Sequence, residues 1–157
     1  MNIVETIWIH GVAVKPEYND NINKSSYKGW GSNFLCENGK DNWFHVALST
    51  PVIINGARPK LSKIYLLFST EHGGIGEINI RSIHLYDGKH KVRSLDSLNL
   101  SGDHSSAIDA TNTIALTPPI TIQSGLGISI GVSVPIGIGP SSSFPVKFAT
   151  IGAEFSE

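Results

Sequence analysis

The run Leu126-Gly127-Ile128-Ser129-Ile130-Gly131-Val132-Ser133-Val134-Pro135-Ile136-Gly137-Ile138 decides the fold class. Its even positions are all Leu, Ile or Val, and its odd positions are all Gly, Ser or Pro. A period of two sends one set of side chains to one face and the other set to the opposite face, which is the geometry of a strand. On a helix the same residues would be scattered round the circumference, and each interior glycine would cost about 1 kcal/mol. The segment is read as a strand, or as two collinear strands parted near Pro135, which has no N–H for a ladder. The even face is the core face. The odd face has almost no bulk, so it either admits another sheet or chain at close range or looks into solvent.

The same period recurs on both sides of this run. Residues 3–14 are rich in β-branched types, with Trp8, His10 and Val12 on one face and Ile7 and Ile9 on the other. Residues 43–48 place Phe44, Val46 and Leu48 inward and Trp43 and His45 outward. The continuous apolar run Ile64-Tyr65-Leu66-Leu67-Phe68 is that of a central strand covered on both sides. Ile78 and Ile80 share one parity while Ile83 and Leu85 share the other, which predicts a bulge at Arg81-Ser82. A second phase slip falls between Phe148 and Ile151 in the last segment. Asn38-Gly39, Asn55-Gly56 and Asp87-Gly88 are tight-turn dipeptides, and His72-Gly73-Gly74 is a further turn candidate. Residues 17–28 and 101–111 read as longer polar loops, and 137–143 as a flexible connector. About eight to ten strands without an amphipathic helix predict a single all-β domain over residues 1–157, an antiparallel two-sheet sandwich of jelly-roll type.

Composition removes several function classes. The 157 residues carry a formal net charge of −1, too neutral for a surface that must neutralise nucleic-acid phosphates or anchor to anionic lipid. No segment approaches the roughly 18 apolar residues of a membrane span. The N-terminal stretch Met1-Asn2-Ile3-Val4-Glu5-Thr6 lacks the pattern of a signal peptide. A cytoplasmic protein is expected, with leaderless export as the other route. The one cysteine, Cys36, allows no intrachain disulfide and reads as a small buried hydrophobe.

Several strings together resemble a family of small bacterial all-β proteins of unknown function. They are Trp8-Ile9-His10-Gly11, Gly29-Trp30-Gly31-Ser32-Asn33-Phe34, Asn42-Trp43-Phe44-His45, His84-Leu85-Tyr86-Asp87-Gly88, Leu100-Ser101-Gly102-Asp103-His104-Ser105 and Gly125-Leu126-Gly127-Ile128-Ser129. The resemblance implies a domain-wide likeness and no activity, so function has to be argued from the residues.

Neither a catalytic nor a cofactor signature is visible. Residues 125–139 match neither GxxxxGK[ST] nor GxGxxG, and no helix follows to hold a phosphate, so nucleotide binding is excluded. The six histidines form no close ligand pair. His10, His45 and His84 lie on strands and could converge on a metal as in a jelly-roll metal enzyme, or could simply bond to backbone; no metal and no cofactor is expected. Asp103-His104 beside Ser101 and Ser105 offers triad residue types, but sequence neighbours in a loop are more economically read as a turn.

A non-enzymatic binding or assembly module remains, expected to be a homo-oligomer. Its sharpest form is glycan binding. Trp30 with Asn33, and Trp43 with Asp41, Asn42 and His45, combine aromatic faces for sugar rings with polar groups for hydroxyls. The competing reading is that both tryptophans cap the core or sit in a subunit contact.

Overall fold

The computed structural model describes residues 1–71, 76–137 and 143–157. In chain order its strands are β1 (Ile3–His10), β2 (Lys15–Pro16), β3 (Ile22–Lys28), β4 (Gly31–Glu37), β5 (Asn42–Leu48), β6 (Lys60–Thr70), β7 (Asn79–Asp87), β8 (His90–Leu95), β9 (Asp103–His104), β10 (Thr113–Thr121), β11 (Leu126–Ser133) and β12 (Ser143–Ser156). Two short 3-10 turns, Gly11–Ala13 and Asn19–Asn21, interrupt them. One sheet has five strands in the order β2-β5-β11-β7-β8. The other has seven, in the order β10-β6-β12-β4-β3, with β1 beside β12 and β9 beside β6. All of these pairings are antiparallel. The result is a two-sheet sandwich of the jelly-roll kind.

The alternation in β11 builds the core of the five-stranded sheet. Leu126, Ile128, Ile130, Val132 and Val134 are all buried, against Phe44, Val46 and Leu48 of β5 and Ile83 and Leu85 of β7. The facing sheet contributes Phe34, Ile64, Leu66, Phe68, Val146, Phe148 and Ile151, each 0–1% exposed. Phe34, Phe44 and Phe148 join the two layers with ring centroids 5.0–6.2 Å apart, the tilted spacing that aromatic quadrupoles favour.

Both predicted phase slips are real. In β7 the register passes from Ser82 opposite Gly131 to Ile80 opposite Val132, so Arg81 is the extra residue and Ile78, Ile80, Ile83 and Leu85 are all buried. In β12 it passes from Phe148 to Thr150, leaving Ala149 as the extra residue. Asn38-Gly39 turns the chain from β4 to β5. Asn55 and Gly56, with φ of 51° and 80°, close the small bridge Ile54–Ala57. The run 64–68 lies in β6 between β10 and β12, buried on both sides.

Four expectations need correction. The stretch 17–28 is not one polar loop, because it contains the edge strand β3, whose outer face meets water and so tolerates polar residues. Val12 lies in a 3-10 turn and not on a strand. The β11 strand stops at Ser133, where Val134 N donates to Asp41 Oδ1 (2.9 Å); Ile136 is 79% exposed and outside the core. The small-residue face of β11 is covered in part from its own sheet, since Gly131 lies under Trp43, while Gly127 and Ser129 line a groove. The candidate turn His72-Gly73-Gly74, Ile138 and residues 138–142 of the connector lie outside the described residues. No helix among the described residues is long and apolar enough to cross a membrane.

Candidate functional site

The outer face of the five-stranded sheet is laid out by the β11 register. Ser129 stands between His45 of β5 and His84 of β7. One row along, Gly131 stands between Trp43 and Ser82; on the other side Gly127 stands between Ala47 and Tyr86. Lys15 of β2 extends the His45 row outward. Directly paired residues share a face and alternate along the strand, so the parity that buries Ile128 and Ile130 forces this grid to the surface. The central strand supplies only glycine and serine, while its neighbours supply rings. The sheet therefore carries a groove of about 690 Å³, lined by Lys15, Glu17, His45, Tyr86, Gly127 and Ser129. A smaller hollow of about 250 Å³ adds Trp43 and His84 and shares Glu17, His45, Tyr86 and Ser129 with it.

Hydrogen bonds fix the groove's polar groups. His45 Nε2 meets the Glu17 carboxylate at 3.0 Å and its Nδ1 meets Ser129 Oγ at 2.8 Å. With Nε2–H donating to the carboxylate, Nδ1 of the neutral ring accepts the serine hydroxyl proton. Glu17 is held in place by its own N–H, which donates to Trp43 O (2.7 Å). On the far side His84 Nε2 donates to Asp96 Oδ1 (2.9 Å). That bond, followed by one from the Ser82 hydroxyl, holds the Asp96 carboxyl below the usual carboxylate range. The Trp43 and His84 rings lie 4.8 Å apart, and a Cβ at position 131 would come within 3.1 Å of the indole carbons. Gly131 thus lets the Trp43 ring pack over the central strand.

The predicted site residues divide between the two outer faces. Trp43 and His45 meet in the groove. Asp41 stands at its end and is engaged structurally, accepting from Val134 N and from Arg81 Nη2 (3.4 Å). Asn42 is a correction: it is 2% exposed, its Oδ1 accepts from Tyr18 N and Trp43 N, and its Nδ2 donates to Tyr18 O. Every polar atom of that amide is occupied inside the protein, so Asn42 positions Trp43 and offers nothing to a ligand. Trp30 and Asn33 are not near the groove. Trp30 precedes β4 and Asn33 lies on its outer face, in the opposite, seven-stranded sheet.

All three tryptophans, Trp8 included, lie outside the core cluster. Trp8 stacks on Tyr65 at 5.3 Å over Gly152. Of the strand histidines, His45 and His84 converge on Ser129, whereas His10 is on the other sheet and bonds Gly29 O at 2.9 Å. The Asp103-His104-Ser105 string is no turn but contains the short strand β9 beside β6, and its side chains bond locally: Ser105 N and Oγ donate to Asp103, and His104 reaches Asp109 (2.7 Å) and Ser101 O (2.9 Å). No three His, Cys, Asp or Glu side chains group as metal ligands among the described residues.

Sequence reading missed Glu17, Lys15, Tyr86 and Ser129. Ser129 and Tyr86 could have been found by carrying the outward parity of β11 and β7 across to β5. Glu17 could not, because it follows a two-residue strand inside a stretch that reads as loop.

The family of unknown function DUF6623 matches residues 3–157, and the chain belongs to that family. No curated protein matches it. Among solved structures it is similar to the family 29 carbohydrate-binding module CBM29_1 from Piromyces equi, at 14% identity and a TM-score of 0.47, covering 96% of this chain and 91% of that one.

Proposed function

We propose that this member of the family is a non-catalytic module that binds carbohydrate in the groove of the five-stranded sheet. The supporting observation is the groove itself, with a floor of glycine and serine, a flat tryptophan at one end, and charged and hydroxyl groups already oriented beside it. A sugar ring needs an apolar face to stack on and planar polar groups for its hydroxyls. Trp43 supplies the first. Glu17, His45, Ser129 and Tyr86 supply the second, pre-set by the Glu17–His45–Ser129 bonds so that little ordering cost falls on binding. Self-association of the chain would multiply weak single sites into useful avidity.

The same Glu17–His45–Ser129 chain favours a second reading, because it contains the residue types of a hydrolase triad. A triad also needs donors for the oxyanion. The main-chain N–H groups of β11 face ladders on both sides, to β5 and to β7, so those of this strand beside Ser129 are engaged. Binding is the better account. The test pairs native affinity electrophoresis against α-glucans, β-glucans, xylans, mannans and galactans with turnover of p-nitrophenyl acetate. Retardation by at least one polysaccharide, lost in Trp43→Ala, supports the module. Ester turnover that disappears in Ser129→Ala would replace it with the enzyme.

A further inference from the structure

The seven-stranded sheet carries a second aromatic platform on the opposite side of the sandwich. Trp30 is 48% exposed and borders a cleft of about 500 Å³ with Ser69, Asp103, Ser105, Ser106 and Lys147. Its position is built, not incidental. His10 Nε2 donates to Gly29 O (2.9 Å), clamping the turn that carries Trp30. Gly11 and Gly31 both press on the Phe148 carbonyl, so closely that a side chain at either would collide with it. The Trp-x-His-Gly and Gly-Trp-Gly strings thus share one purpose, to hold this turn against β12. The groove on the other sheet uses none of these residues.

The lining points to a neutral, hydroxylated ligand. The lysine charge is matched by Glu71, at 2.7 Å from Lys147 Nζ. Asp103 is held below its usual range by the Ser105 hydroxyl and amide, so it remains a fixed acceptor. Serine hydroxyls furnish both donors and acceptors.

We infer that the Trp30 cleft is a second carbohydrate site, which makes a single chain divalent across its two outer faces. This rests on the carbohydrate-binding reading of the groove, and the experiment separates the two. The three indole N–H signals of the ¹⁵N-labelled protein, assigned by Trp→Phe variants, are followed while the same polysaccharides and their oligosaccharides are titrated in. The Trp43 and Trp30 signals should both move and that of Trp8, stacked on Tyr65, should stay. The Trp30 movement should survive in Trp43→Ala. Ser106→Arg, an exposed change that fills the cleft without touching the core, should abolish it while the Trp43 movement persists. A Trp30 signal that stays fixed while Trp43 saturates, or that moves only when Trp43 is present, overturns the second site and leaves the groove standing. If neither signal moves with any polysaccharide, both readings fall.

Discussion

Replacing Trp43 by alanine separates binding from folding, because this indole lies on the sheet and not in it. A tryptophan presents roughly 150–250 Å² in all. Trp43 is half-buried, so a ligand can cover on the order of 80 Å² of it, worth about 2 kcal/mol at about 25 cal/mol/Å². That is close to a thirty-fold loss of affinity, enough to push a weak single-site interaction out of range. The fold loses the area that the indole buries against neighbours such as Gly131 and His84, by the same measure about 2 kcal/mol, which lowers Tm by about 4–8 °C for a chain of this size. The assay is native affinity electrophoresis with thermal melting by circular dichroism on the same preparation. Retardation should vanish while melting stays cooperative. Gly131→Ala is the graded companion. Its Cβ would sit 3.1 Å from the indole, so Trp43 must tilt by a few tenths of an ångström and affinity should fall less than in Trp43→Ala. Unchanged retardation in Trp43→Ala would refute the groove as the site. Loss of cooperative melting would show that Trp43 belongs to the core.

Ile130→Ala removes a side chain that is 0% exposed at the centre of the five-stranded sheet; it should cost about 2–5 kcal/mol in urea unfolding, and a cost below about 1 kcal/mol would contradict the packing. Burial pushes the Cys36 thiol up to about 12, so Ellman's reagent at neutral pH should label it only as the protein unfolds; rapid stoichiometric labelling of the native chain would contradict that placement. The Asp87 carboxyl is lowered chiefly by the Gln123 amide, and Asp96, Asp103 and Asp109 chiefly by side-chain bonds from His84, Ser105 and His104 respectively. A carboxyl with a depressed folded value stabilises the fold above its ordinary value of 3.8 and loses that contribution as pH falls through the folded value. Tm should therefore drop on acidification below about pH 4, and a flat profile between about pH 5 and pH 2 would refute the assignment.

The fold was legible wherever burial imposes a period. Strict alternation in residues 126–134 identified the core face, and two breaks of parity located the bulges at Arg81 and Ala149. Another shift, at Ser62, leaves the same break of parity between buried Leu61 and Ile64, but the apolar run that follows it on both faces masked the signal. Edge strand β3 was also hidden. Its side chains Asn23, Lys24 and Ser25 are exposed, so Ile22 and Tyr27 alone are too widely spaced to mark a period, and its ladder with β4 makes it a strand.

The site was half legible, and the division follows from what sequence separation hides. Parity within one strand is visible, so Trp43 and His45 could be assigned outward together. Which sheet a strand joins is set by long-range pairing, so the nine residues between Asn33 and Trp43 concealed a crossing from one sheet to the other. Burial statistics for tryptophan were equally silent. They describe indoles in cores, whereas Trp8, Trp30 and Trp43 each occupy a surface seat that glycine prepares. Gly152 lies beneath Trp8, Gly131 beneath Trp43, and Gly11 and Gly31 bring the Trp30 turn against β12. In this chain the glycines were the readable half of each platform. A glycine in a strand interior weakens the strand unless something uses the space it leaves, and here an indole does so at Gly131 and Gly152. The outward face of β11 therefore pointed to the groove through what it lacks, since three rows of small residues, each with a ring on at least one side, leave a hollow where the register aligns them.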